Sequence, residues 1–208
     1  MLSHDSSTSV SRRAFLSTGT FAGALACLGC ANALCMSPED AKPSLPEHKF
    51  LANCEMSFEE VFKFAYQDGL VPVMEQMAQQ VGRNKLIEML KQAASDAAAE
   101  RMQKRAAELQ PRTPAVFVSP LKNPQRFTRH ALTLEVVEET EKAAELHVTE
   151  CLWAKTFRAA RAADIGYAVS CHPDYASARA FNPRMRMIRT KTLMEGHDCC
   201  NHRFILEG

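Results

Sequence analysis

The sequence predicts an α+β fold in which N-terminal helices pack on a C-terminal antiparallel sheet with inserted short helices. Two observations carry this prediction. Apolar residues recur at helical spacing through the front of the chain, over residues 57–109. From Phe127 onward the apolar spacing changes to two, as in strands with one buried face. Helices followed by strands, rather than alternating with them, are typical of α+β domains.

The first 33 residues match an export signal. The letters SRRAFL (residues 11–16) fit the twin-arginine consensus, a weakly apolar run follows, and ANA (residues 31–33) is an A-x-A cleavage site. We therefore predict a twin-arginine signal over residues 1–33, the twin-arginine export machinery as a partner, and a periplasmic or other extracytoplasmic location. This route exports folded proteins, which favours a metal or cluster loaded before export.

Cleavage after residue 33 leaves a neutral chain of 175 residues, with 23 basic and 23 acidic side chains. This length suits one domain, and we predict an exposed, proline-containing leader over residues 34–56 and a single domain over residues 57–208. No basic stripe with interleaved aromatic residues points to nucleic acid as a partner. No remaining apolar run is long enough for a stable membrane span.

Two helices are predicted at the front of this domain. Ser57 and Glu60 fit a capping box that starts the first helix, and Gly82 ends it. The second helix is expected over residues 83–109. Residues 110–125 contain four prolines, so we predict a loop between the helical front and the mixed back of the domain.

Strands and short helices are predicted at the back. Alternating apolar residues indicate two strands, around residues 132–136 and 146–148. A helix is expected from residue 152 until Gly166 ends it, and Pro173 starts another. The segments RMRMIRTKTLMEG and CCNHRFIL are predicted to be a final strand pair that turns at Gly196.

Six cysteines remain after the predicted cleavage, and in an oxidising compartment an even number first suggests disulfides. Cys35 with Cys54 is the pairing that the sequence leaves open. Cys151, Cys171 and one of the adjacent cysteines near the C-terminus lie at predicted element ends. Side chains from distant segments converge on cavities at such ends, and helix N-termini there lower thiol pKa values.

The motif GHDCCNHRF (residues 196–204) contains two adjacent cysteines. Strand alternation places Cys200 and His202 on one face and Cys199 on the other, so only one of these cysteines can face a given cavity. The histidines in this motif lack a regular metal-ligand spacing. Asp174, three residues after Cys171 at the start of a predicted helix, is the acid/base candidate.

A metal centre is one reading of these residues. Three thiolates from Cys151, Cys171 and Cys200 with one open position would suit zinc with a bound water or an iron–sulfur cluster. The protein would then be an exported metal-binding or iron–sulfur redox protein. A third reading is a ligand-binding domain without catalysis, in which the cysteines are simply core residues.

The order and spacing of four short segments resemble a known family. These segments are CLW (residues 151–153), IGYAVSCHPDY (residues 165–175), FNPRMRMIRTKTLMEG (residues 181–196) and CNHRF (residues 200–204). They resemble the L-2-amino-thiazoline-4-carboxylic acid hydrolase family over roughly the mature domain. The positions that recur in the family pattern correspond here to Cys151, Cys171, Asp174, Gly196 and Cys200.

This resemblance implies a hydrolase-like domain over residues 57–208 that opens a small cyclic amidine or thiazoline. The substrate implied is a small molecule of the 2-aminothiazoline-4-carboxylate type, cleaved at a carbon–nitrogen or carbon–sulfur bond. The catalytic residues implied are Cys171, Asp174 and Cys200. A thiolate attacks the ring carbon between nitrogen and sulfur while Asp174 moves protons, or a thiolate-bound metal delivers hydroxide.

Overall fold

The computed structural model describes residues 56–123 and 127–208. The predicted export signal, the leader up to residue 55 and the pairing of Cys35 with Cys54 lie outside these ranges and stay predictions. No helix within the two ranges is long and apolar enough to cross a membrane.

The helices of the described ranges are α1 (Phe58–Phe62), α2 (Val71–Val81), α3 (Arg83–Ala106), α4 (Pro114–Lys122), α5 (Phe127–Ala131), α6 (Leu152–Ala159), α7 (Ala163–Gly166) and α8 (Pro173–Phe181). Two π-helical segments join some of them, Lys63–Leu70 between α1 and α2, and Tyr167–Cys171 between α7 and α8. The strands are β1 (Leu132–Glu139), β2 (Ala143–Cys151), β3 (Met185–Ile188) and β4 (Cys200–Leu206), and a short 3-10 helix spans Leu193–Glu195.

The four strands form one antiparallel sheet in the order β1-β2-β4-β3, which confirms the predicted α+β class. Buried residues of β2 and β4 lie directly opposite one another, with Val148 paired to Cys200 and Leu146 paired to His202. Because side chains alternate between faces along a strand, these residues share the inner face. Cys199 precedes β4 and is more exposed than Cys200.

The main core lies between the inner face of the sheet and three helices. Phe181 from α8, Val118 from α4 and Ala106 from α3 are fully buried and pack with the inner-face residues of β2, β3 and β4. Amphipathic elements are stable only when their apolar faces are covered in this way. The helices therefore cover the sheet face on which Cys200 lies.

The start of the first helix follows the prediction. The backbone N–H of Glu60 donates to the Ser57 hydroxyl at 3.2 Å, and the backbone N–H of Ser57 donates to the Glu60 carboxylate at 2.8 Å. This reciprocal capping box satisfies two N–H groups that a helix start leaves unpaired. The helix changes to π-helical form at Lys63 and reaches Gly82, which has a positive φ of 88°.

The predicted loop over residues 110–125 is wrong, because α4 forms within it. Thr113 caps this helix, since its hydroxyl accepts from the backbone N–H of Val116 at 3.4 Å. Pro114 occupies the first turn, where a missing N–H costs nothing. Burial of Val118 against the sheet outweighs the cost of Pro120, the proline inside this helix. The short helix α5 (Phe127–Ala131) then precedes β1 and β2, which contain the two strands predicted around residues 132–136 and 146–148.

Gly166 does not end the helix as predicted, because the chain continues into the π-helical segment. This glycine permits a close approach instead. A Cβ atom at this position would lie 2.6 Å from Cγ of Phe157 and 2.8 Å from Cε of Met194.

The last strand pair is also shorter than predicted, because β3 ends at Ile188. Gly196 does adopt the left-handed turn conformation, with φ at 96°.

Candidate active site

A cavity of about 600 Å³ lies against the inner face of the sheet. Residues of α3, α4, β1, β2, α8, β4 and the second π-helical segment line it, and most of these are apolar. Its charged and reactive side chains are Arg101, Arg105, Cys151, Cys171, Asp174, Cys200 and His202. All four residues predicted to be catalytic or metal-binding, the three cysteines and Asp174, therefore line the same cavity.

Each cysteine reaches the cavity from the end of a different element. Cys151 ends β2 and caps α6, where its sulfur accepts from the backbone N–H of Ala154 at 3.4 Å. Cys200 begins β4, and its sulfur accepts from the backbone N–H of Leu193 at 3.2 Å. Cys171 is the last residue of the second π-helical segment. All three are free thiols.

Burial raises the pKa of all three thiols above the ordinary value of 9.0. The N–H donors at Cys151 and Cys200 and the positive charge of Arg189 near Cys171 and Cys200 favour the thiolate but do not outweigh burial. The shift is largest for Cys171. The thiols are therefore protonated near neutral pH, and a nucleophilic cysteine at this site needs a base to accept its proton.

A buried arginine holds the polar end of the site together. The Arg189 side chain is 1% exposed, and its Nη1 donates to Oδ2 of Asp174 at 2.9 Å. Its Nη2 donates to the backbone carbonyl of Cys171 at 3.1 Å and to the Tyr167 hydroxyl at 3.2 Å. The guanidinium also lies over the rings of Tyr167 and Tyr175, at 5.4 and 5.1 Å from their centroids.

The pKa of Arg189 reflects these contacts. Burial alone would lower it, but the Asp174 carboxylate and the Tyr167 hydroxyl outweigh burial and leave it above the ordinary value. Arg189 is thus a permanent cation inside the protein. Asp174 is more accessible, with 42% of its side chain exposed, so its carboxylate can act on a molecule in the cavity.

His202 is also held by Arg189. Its Nε2 lies 3.1 Å from Nη1 of Arg189 and 3.6 Å from Oδ2 of Asp174. Because a guanidinium only donates hydrogen bonds, Nε2 of His202 is the acceptor in this contact. Within the described residues, His202 Nδ1 and Arg189 Nε are buried without a hydrogen-bond partner.

Sequence reasoning missed Arg189 and set His202 aside. A signal for Arg189 is present in the strand pattern, because Met185 and Met187 are buried at alternate positions and Arg189 continues that phase. An arginine at an inward-facing position needs buried partners. The buried position of His202, two residues after Cys200 on the same face, is a similar signal.

The predicted metal centre has no support from the arrangement of side chains. Among residues 56–123 and 127–208, no three His, Cys, Asp or Glu side chains are placed to hold a metal ion, and Cys151, Cys171 and Cys200 form no such group. Zinc or an iron–sulfur cluster as a cofactor stays a prediction that the structure does not test.

A comparison with protein-family models gives a match to this part of the chain. A family model described as L-2-amino-thiazoline-4-carboxylic acid hydrolase matches residues 60–204. The matched span covers most of the chain and contains every charged and reactive residue of the cavity lining. No curated protein matches the chain.

We expect Arg189→Met to destabilise the fold by about 2–3 kcal/mol. The substitution leaves the Asp174 carboxylate without its cation and the Cys171 carbonyl without its donor. The loss should be smaller than the roughly 3–5 kcal/mol of a fully buried pair, because Asp174 can regain water. Urea denaturation measures the change in the free energy of unfolding.

Arg186→Met is the matched control for this experiment. Arg186 lies on β3 three residues earlier, its side chain is 59% exposed, and it pairs with Glu207 at 3.7 Å. We expect its removal to change stability by no more than about 0.5 kcal/mol. Equal effects of the two substitutions would contradict the organising role given to Arg189.

The raised thiol pKa values predict a loss of stability at alkaline pH. A group whose pKa is higher in the folded than in the unfolded state stabilises the fold below its unfolded pKa, and this contribution disappears as pH rises. We expect the free energy of unfolding to fall between about pH 8 and pH 10, and to fall less steeply for Cys171→Ala. Identical slopes for the two proteins would contradict the burial of this thiol.

Proposed function

The chain belongs to the L-2-amino-thiazoline-4-carboxylic acid hydrolase family, a family of hydrolases, and on this basis we propose that it opens a small cyclic amidine or thiazoline of the 2-aminothiazoline-4-carboxylate type. The observation that carries the proposal is the convergence of Cys151, Cys171, Cys200 and Asp174 on one cavity. The cavity, at about 600 Å³, has the volume of a small-molecule site.

Cys200 is the nucleophile in this proposal. Its sulfur accepts a hydrogen bond from the Leu193 N–H, and the positive charge of Arg189 also favours its thiolate. Cys171 is less suited, because burial raises its pKa further. Cys151 already caps α6 and is assigned to the cavity wall. A buried thiol of this kind becomes nucleophilic when a neighbouring base takes its proton.

Asp174 is the group that moves this proton. Arg189 fixes the carboxylate through Oδ2, and the side chain remains accessible from the cavity. The same carboxyl group can then return the proton to the ring nitrogen. A positioned acid/base of this kind contributes roughly 10²- to 10⁴-fold to a rate.

The proposed reaction has two stages. In the first, Sγ of Cys200 forms a bond to C2 of the ring, the carbon–nitrogen π electrons move to nitrogen, and nitrogen takes the proton from Asp174. The lone pair of the amino nitrogen on C2 then breaks the C2–S or C2–N ring bond, and the leaving atom receives one proton of the entering water through Asp174, while the other proton of that water restores the Cys200 thiol. In the second stage, water adds to C2 and the bond to Cys200 breaks. One water is consumed, its oxygen becomes a carbonyl, and a carbamoyl cysteine and a free Cys200 thiol result.

We further propose that this domain acts outside the cytoplasm after export by the twin-arginine route. The support is the sequence pattern alone, with the paired arginines and apolar run of residues 11–33. Cys200 is a free thiol and is buried, and burial protects a thiol from oxidation in such a location.

Removing either proposed catalytic group should abolish most activity. For hydrolysis of 2-aminothiazoline-4-carboxylate, we expect Cys200→Ala to lower kcat/KM at least about a thousandfold, because the covalent route is lost. We expect Asp174→Asn to lower it by about 10²- to 10⁴-fold, because proton transfer is lost. Initial rates of product formation with purified full chain measure both effects.

Cys199→Ala is the matched control, since Cys199 is the adjacent residue and is not part of the cavity lining. Its activity should stay within about threefold of the wild type, as for most substitutions away from a site. Full activity of a folded Cys200→Ala variant would show that Cys200 is not the nucleophile. Loss of activity in Cys171→Ala alone would assign that role to Cys171.

A further inference from the structure

Two arginines of α3 line the cavity, and no described residue gives either of them an acidic partner. Arg101 and Arg105 are four residues apart and therefore lie on the same face of the helix. In the part of the chain that the structure describes, neither forms an ion pair with a carboxylate. Lys104, between them in sequence but not part of the lining, is paired with Glu100 at 2.6 Å.

This arrangement leaves positive charge at the cavity. Two like charges one helical turn apart repel each other, which is unfavourable unless an anion lies between them. Among the described residues, Asp174 is the single acidic residue of the lining, and Arg189 already neutralises it. Arg101 and Arg105 are both exposed, so water screens part of their charge, but most of the remaining lining is apolar and strengthens the attraction of these groups for an anionic ligand.

We propose that Arg101 and Arg105 bind the carboxylate of the substrate and make the cavity selective for anionic small heterocycles. The proposal rests on the proposed function for the identity of the ring. Guanidinium groups suit a carboxylate because their paired N–H donors match its two oxygens. An anchored carboxylate would keep the ring in the same cavity as Cys200 and Asp174.

Binding can be measured without turnover. Trp153, the one tryptophan of the chain, is part of the cavity lining, so its fluorescence reports occupancy. We would titrate purified full chain with 2-aminothiazoline-4-carboxylate and with 2-aminothiazoline, which has the same ring without the carboxylate. The wild type should bind the carboxylate compound at least about tenfold more tightly than the analogue, as expected for charge-assisted hydrogen bonds.

The arginine variants give the specific test. Arg101→Gln and Arg105→Gln should each raise the Kd of the carboxylate compound about tenfold, and the double variant about a hundredfold, while the Kd of the analogue stays unchanged. Lys104→Gln, on the same helix, should leave both Kd values unchanged. Thermal unfolding of each variant should match or exceed that of the wild type, because removing one of two like charges relieves repulsion.

Three results would overturn the proposal. These are wild-type binding that does not depend on the carboxylate, arginine variants with unchanged Kd, and variants that lose both ligands equally. The outcome is separable from that of the proposed hydrolysis. Carboxylate-dependent binding without any product would refute hydrolysis and retain the anchor, whereas product formation with an unchanged KM in both arginine variants would refute the anchor and retain hydrolysis.

Discussion

The buried guanidinium of Arg189 is the constraint on which the polar end of the site depends. An uncompensated cation inside a protein is too costly to persist, so the Arg189 guanidinium requires polar partners at fixed places, which its two Nη atoms have. Those acceptors lie on α8, on the second π-helical segment and on β4, namely Asp174, Cys171, Tyr167 and His202. Arg189 therefore links α8 and the second π-helical segment to β4. These contacts place the Asp174 carboxylate, Cys171 and Cys200 at one cavity.

The electrostatics of the cavity follow from burial and from this cation together. Burial keeps the thiols protonated, while Arg189 and the backbone N–H donors reduce the cost of forming a thiolate at Cys200. Such a site is inert toward most electrophiles until a bound molecule and a base are both in place. The accessible Asp174 is suited to be that base, and Arg101 and Arg105 of α3 are suited to hold an anionic molecule.

Much of this arrangement was accessible from the sequence, because local rules govern it. Helical and strand periodicity gave the α+β class, and alternation separated Cys200 from Cys199. The rest depends on contacts between distant segments. Burial of Val118 stabilises a helix within a proline-rich stretch. Gly166 is required because the side chain of Phe157 packs against it. Arg189 has its role only because its partners lie on three other elements.

The most direct measurement follows the substrate itself. Purified protein would be incubated with 2-aminothiazoline-4-carboxylate in water enriched in heavy oxygen, and the products resolved by mass spectrometry. Ring opening through Cys200 predicts a product heavier by one water, with a single labelled oxygen on the former C2 carbon and a new thiol or amine that identifies the broken bond. Unchanged substrate, while Trp153 fluorescence shows that the compound occupies the cavity, would contradict the assignment of this cavity as a hydrolase active site.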